Sequence, residues 1–177
     1  LGWYSTTTPM RHVILRYFNA AGASTDGTLG EDWRHSQNLI PHVMKAVLGF
    51  APAVQVFGND FPTTDGTGVR DYIHVEDLAH AHVAALDHLA QGGHNLTCNV
   101  GTGFGTSVMQ IIEATERVSG KKVPYQITAR RPGDPAACFA DAGLIHKELG
   151  WSPTQSLDDI IRTAYAWHQS HPQGHDS

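Results

Sequence analysis

The sequence predicts an α/β fold. Short β-branched, apolar runs alternate with segments of helical period along the chain. The first such run, His12 to Phe18, is nearly continuous in apolar character, as in a strand buried within a parallel sheet. Two capping boxes, Ser107/Gln110 and Ser156/Asp159, mark helix starts.

In order, His12 to Phe18 reads as a strand that ends at Asn19, followed by a small-residue loop, Ala20 to Thr28. Gln37 to Leu48 is a helix, with Leu39, Ile40, Val43, Met44, Val47 and Leu48 on one face. Pro41 fits its first turn and Gly49 its stop. Ala53 to Phe57 is a short strand, Phe61 to Gly68 a turn-rich loop and Asp71 to Val75 another strand. A helix from Asp77 to about Ala90 opens on Glu76 and Asp77, which suit the positive helix end. Leu96 to Val100 is a strand, Gly101 to Gly105 a loop, and Ser107 to Ser119 a helix stopped by Gly120. Val123 to Thr128 is a strand that Pro124 confines to an edge. Ala140 to Leu149 is a short helix closed by Gly150. The last helix starts at Ser156 and buries Leu157, Ile160, Ile161, Ala164 and Tyr165; Pro172 ends it, and the tail to Ser177 is expected to fray.

The 177 residues are 41% hydrophobic and 16% charged, a globular composition of one-domain size. At that size roughly 70% of the unfolded surface can be buried. A net charge of −5 without a Lys/Arg run argues against nucleic acid or an anionic membrane as partner. No apolar stretch approaches the ~20 residues of a membrane span, and no signal peptide is read. Cys98 and Cys138 form no CxxC, so a reducing, cytoplasmic setting is expected. The opening at Leu1 rather than Met reads as a piece of something longer.

Gly101-Thr-Gly103-Phe-Gly105 follows a strand and precedes a helix. A dinucleotide fingerprint needs glycine where Thr106 stands, so a tight strand-to-helix turn is the better reading. The 12 histidines lack metal-ligand spacing and there is no HExxH; solvated surface histidines are expected. No GxSxG supports a nucleophile. Arg70, in DGTGVRDYIHV, and Arg131, in ARRPGD, carry planar forks that match phosphate oxygens. Structural ion pairs with Asp71 and Asp134 explain them equally well. Asn19 ends a buried strand, where ligands bind in open α/β sheets, or else caps an Asx-turn.

LRYFNAAGA (Leu15 to Ala23), GED (Gly30 to Asp32), NLIP (Asn38 to Pro41), VFGNDFPTTDGTGVRDYIHVEDLAHAHV (Val56 to Val83), NVGTGFGTSV (Asn99 to Val108), RRPGDPAACFAD (Arg130 to Asp141) and KELGW (Lys147 to Trp151) resemble the UDP-galactose (UDP-glucose) 4-epimerases. The likeness runs from about His12 to His171. That family belongs to the extended short-chain dehydrogenase/reductases. The resemblance implies the last strands of a Rossmann sheet plus a small UDP-sugar-binding domain, with residues 1–177 as the C-terminal substrate-binding portion. It implies NAD as cofactor, held mostly by an N-terminal half, and a 4-keto sugar intermediate formed by hydride transfer. No tyrosine is followed by lysine four residues on and no GxxGxxG occurs, so the chain alone is expected to be inactive.

The resemblance also implies roles. Asn19 would contact the sugar and Phe18 would lie near the nicotinamide. Asn38 and Leu39 would reach the diphosphate and uridine; Gln55 and Phe57 would line the uracil pocket. Arg70 and Arg131 would clamp the phosphates, Asp134 would accept from ribose hydroxyls, and Cys138 would lie beside the sugar. Small Cys138 leaves room for an N-acetyl group, so UDP-N-acetylhexosamines join UDP-glucose and UDP-galactose as expected substrates. A homodimer is the implied assembly. Two other readings stand beside this one: a related nucleotide-sugar dehydratase or decarboxylase, and a non-catalytic UDP-sugar-binding or interaction protein.

Overall fold

The computed structural model describes residues 1–175. One helical turn, α1 (Tyr4–Thr7), precedes β1 (Val13–Tyr17) and β2 (Asn19–Ala21). Then follow α2 (Leu39–Val47), β3 (Val54–Phe57), β4 (Val69–Arg70), β5 (Tyr72–His74) and α3 (Val75–Ala90). The remainder is β6 (Leu96–Val100), β7 (Thr106–Ser107), α4 (Val108–Ser119), β8 (Tyr125–Thr128), β9 (Ala137–Cys138), α5 (Gly143–Leu149) and α6 (Leu157–Ser170).

The predicted alternation is present, and the long strands pair in parallel: β1 with β6, β2 with β5, β3 with β8. β4 lies between antiparallel β7 and parallel β9. One apolar cluster joins α2, α4 and α6 around Met44, Ile111, Ile112 and Ile161. A second joins β1, β5, β6, α3 and α5 around Ile73, Val100 and Ile145.

Both capping boxes form, at Ser107 and Ser156. Gly120 and Gly150 close their helices at φ +68° and +64°, the left-handed turn that favours glycine. β8 pairs only with β3 among the described residues, as expected of an edge.

Several boundaries differ from expectation. The first strand breaks at Phe18, because Asn19 leaves β6 and donates its N–H to Asp71 O at 3.0 Å. The expected loop from Ala20 therefore begins as strand β2. The expected strand Asp71 to Val75 is trimmed to Tyr72–His74: Val75 opens α3, and the Asp71 side chain turns inward. Its carboxylate is fully buried and accepts from Thr102 N (2.9 Å), Thr102 Oγ1 (2.6 Å), Gly103 N (3.1 Å) and Ala140 N (3.1 Å). That last bond holds Ala140 out of helix, so α5 starts at Gly143 rather than Ala140. α3 starts two residues early because His74 caps it, its Nδ1 accepting from Glu76 N at 3.1 Å.

Two histidines are not on the surface: His74 and His168 are buried. His74 Nε2 meets Thr163 Oγ1 at 3.1 Å, and the His168 ring stacks on Trp33 with centroids 4.5 Å apart. The tail is pinned through His175, whose Nε2 lies 2.9 Å from Gly30 O. Fraying at Ser177 lies outside the described residues. Among those residues no helix is long and apolar enough to cross a membrane. They also contain no group of three or more His, Cys, Asp or Glu side chains able to hold a metal ion.

Candidate functional site

A cavity of about 650 Å³ opens between the N-terminus of α2, β3, β4 and the starts of β2 and β5. That volume suits a drug-sized ligand. Leu39 and Val54 supply apolar wall, while Asn19, Asn38 and Gln55 supply polar groups. Phe57, Arg70, Arg131 and Asp134 complete the predicted residues it brings together. Phe18 and Cys138 do not line it. Phe18 is half-buried at the end of β1, and Cys138 is exposed on β9, in register with Arg70.

The loop before β4 is tied internally, which fixes where Arg70 emerges. Asp65 Oδ1 accepts from Thr67 N and Oγ1 at 2.9 and 2.7 Å, and Asp65 Oδ2 accepts from Ser107 Oγ. Arg70 Nη1 donates to Val69 O (2.8 Å) and Pro135 O (2.9 Å), which aims the guanidinium. Its Nη2 stands 3.8 Å from Asp134 Oδ1. Arg131 Nε donates to Asp134 Oδ2 at 3.0 Å, and its guanidinium carbon lies 4.5 Å from the Phe57 ring centroid. The ion-pair reading thus holds for Asp134 with both arginines and fails for Asp71, whose carboxylate faces Thr102 and Ala140 instead. Surface pairs of this kind contribute little stability. Their geometry matters more: two planar forks converge on one oxyanion position at the cavity wall.

Asn19 makes no side-chain hydrogen bond among the described residues, so it is not an Asx-turn cap. Asn38 occupies the N-cap of α2 but caps nothing. Its Nδ2 donates to Glu31 Oε1 at 3.0 Å instead. The end of α2 is consequently left without a side-chain cap where it faces the cavity, a setting that favours an anion.

Among the lining residues that sequence reasoning missed are Glu31 and Tyr72. Burial pushes the Tyr72 phenol up to about 12, against a smaller opposing pull from Arg70, so its hydroxyl stays protonated. Tyr72 sat inside an apolar strand with no local signal of orientation. Glu31 sat in a loop tied to the distant Trp167 and, through Trp33, to Pro172.

The Gly101 loop makes the tight turn expected of it, and its amides are already committed. A Cβ on Gly101 would stand 2.5 Å from Asp71 Oδ2. Thr102 and Gly103 donate to that carboxylate.

The fold is that of an extended short-chain dehydrogenase/reductase. The chain belongs to the GDP-mannose 4,6 dehydratase family, whose profile matches residues 1–164. It is 48% identical over 163 residues to a UDP-glucose 4-epimerase of Mus musculus, covering 92% of this chain and 47% of that protein. A crystal structure of UDP-glucose-4-epimerase from Stenotrophomonas maltophila, with bound NAD and formylated UDP-arabinopyranose, superposes with TM-score 0.93. It is 43% identical, covering 97% of this chain and 52% of that one. The enzyme from Bifidobacterium longum, in complex with NAD+ and UDP, gives TM-score 0.91 at 45% identity, covering 98% and 52%. The chain spans about half the length of the curated relatives it matches.

Proposed function

We propose that this chain is the UDP-sugar-binding portion of an NAD-dependent UDP-hexose 4-epimerase that interconverts UDP-galactose and UDP-glucose. The observation that carries the reading is the convergence of Arg70 and Arg131 on one oxyanion position beside an apolar-walled cavity. The similarity to UDP-glucose 4-epimerases across 92% of the chain supports it. In this reading the two arginines hold the diphosphate with Asn38 and Leu39 at the α2 end. Gln55 and Phe57 flank uracil. Asp134 is displaced from the arginines and accepts from the ribose hydroxyls. Asn19 meets the sugar, and Cys138 approaches it from the strand beside Arg70.

The residues present suit one side of NAD. Phe18 offers an aromatic face at the carboxyl end of a parallel strand pair, where such cofactors bind. The Thr102 and Gly103 amides are spent on Asp71, so this glycine loop does not offer them to a phosphate; in this reading the dinucleotide phosphates and the YxxxK base lie outside residues 1–177. NAD, when bound, would supply a hydride acceptor and donor for sugar C4. A homodimer is the assembly we propose for the intact enzyme.

Calorimetric titration of the intact protein tests the binding claim. UDP should bind at least about 10-fold more tightly than uridine, because only UDP engages the arginine pair. Equal affinities would remove the diphosphate from this site.

A further inference from the structure

The segment from Gly22 to Asn38 has no regular structure, yet it supplies Glu31, Gln37 and Asn38 to the cavity wall. Something distant must hold it. Two buried tryptophans do so by crossed hydrogen bonds. Trp33, on this segment, donates Nε1–H to Pro172 O at 3.2 Å, while Trp167, on α6, donates Nε1–H back to Glu31 O at 3.1 Å. The Trp167 ring also presses on Gly30, where a Cβ would stand 2.2 Å from the indole. Only glycine permits that approach. His171 stacks on the same indole at 3.8 Å, and His175 meets Gly30 O.

The effect reaches the cavity through Glu31. Its carbonyl is fixed by Trp167, and its carboxylate accepts from Ser36 Oγ and from Asn38 Nδ2. Asn38 is thereby drawn off its capping position, and the α2 end is left open to the cavity. An indole in the last helix thus sets the amide of a cavity residue through a single intervening side chain.

We propose that Trp167 is a positioning residue for nucleotide binding, acting through Glu31 on Asn38 and the N-terminus of α2. The proposal rests on the reading of the cavity as a UDP-sugar site. Trp167 does not line the cavity, so its substitution changes affinity by letting the wall drift.

The test is a double-mutant cycle in the intact protein, reading UDP affinity by calorimetry and KM against kcat for UDP-galactose. Trp167→Phe keeps a ring but loses the Nε1–H. It should weaken UDP about five-fold and raise KM alike, with kcat within two-fold of the parent. Glu31→Ala should weaken UDP similarly, and the double variant no further than Glu31→Ala alone. A structural role alone would lower the melting temperature while leaving affinity at 20 °C unchanged, or would give additive losses; either overturns the proposal. His175→Ala, which removes the contact with Gly30 O, should weaken UDP about two-fold and serves if Trp167→Phe does not fold; unchanged affinity there also overturns it. Failure of the unsubstituted protein to bind UDP would instead remove the site reading and the proposal together.

Discussion

Arg70 and Arg131 aim at the same carboxylate, Asp134, at 3.8 and 3.0 Å. They reach it differently. Arg70 is braced by two backbone carbonyls, whereas Arg131 is more exposed and rests on Phe57. Arg70→Ala and Arg131→Ala should each weaken UDP binding about 10- to 100-fold in the intact protein, one charge-assisted contact to phosphate being worth about 1.5–3 kcal/mol. UDP and UDP-sugar should lose affinity equally, since the contacts are to phosphate. Calorimetry on both ligands checks this, and unchanged UDP affinity in both variants would return the arginines to a structural role.

Asp71 should matter for stability rather than for binding. Its carboxylate is fully buried and satisfies four donors from two separate loops. Asp71→Asn places an NH2 against N–H groups and should cost about 3 kcal/mol in denaturant unfolding. A loss under 1 kcal/mol would mean that those loops are held by something else.

His168 gives the protein a pH-dependent stability. Burial lowers its pKa from 6.5 to about 4; Lys45 and, more weakly, His171 push the same way, and Asp32 opposes. A group whose folded pKa is depressed takes up its proton more readily when unfolded. The neutral, folded form is therefore fully favoured above pH 6.5 and loses its advantage as pH falls towards 4. The full effect is roughly 3 kcal/mol, and burial of His74 adds in the same direction. Unfolding free energies at pH 7 and 4.5 should differ accordingly, and His168→Phe, which retains a ring against Trp33, should flatten the slope. An unchanged slope would place the dependence elsewhere.

Cys138 is small and exposed on the strand that pairs with Arg70. Cys138 does not line the cavity; on the proposed reading, in which it approaches the sugar, the intact enzyme should accept UDP-N-acetylglucosamine and UDP-N-acetylgalactosamine besides the simple hexoses. Cys138→Tyr should abolish the N-acetyl activity and spare UDP-galactose, because a clash discriminates by size. Kinetics on both substrate pairs decide it; rejection of N-acetyl sugars by the unsubstituted enzyme would refute the argument.

Elements governed by local chemistry were legible in the sequence. Ser107 and Ser156 mark their helices through side chains three residues away, and Gly120 and Gly150 mark the stops. Features set by distant partners were not. The break at Phe18 arises because Asn19 meets Asp71, and the two-residue strands β7 and β9 exist only as neighbours of β4. The cavity arginines stood out as paired forks in glycine-rich loops. Their shared partner Asp134 was one of two candidates, and only the fold turned Asp71 away from them. The buried His168 and the crossed tryptophans left no local trace, since each depends on the end of α6 meeting a loop more than a hundred residues earlier.

Conversion of UDP-galactose to UDP-glucose, with NAD supplied, tests the account most directly when residues 1–177 are compared with the same chain joined to its NAD-binding half. The joined protein should turn over, and residues 1–177 alone should not, because they carry no YxxxK motif and no GxxGxxG fingerprint. Turnover by residues 1–177 alone at an ordinary enzymatic rate, or none by the joined protein, would contradict it.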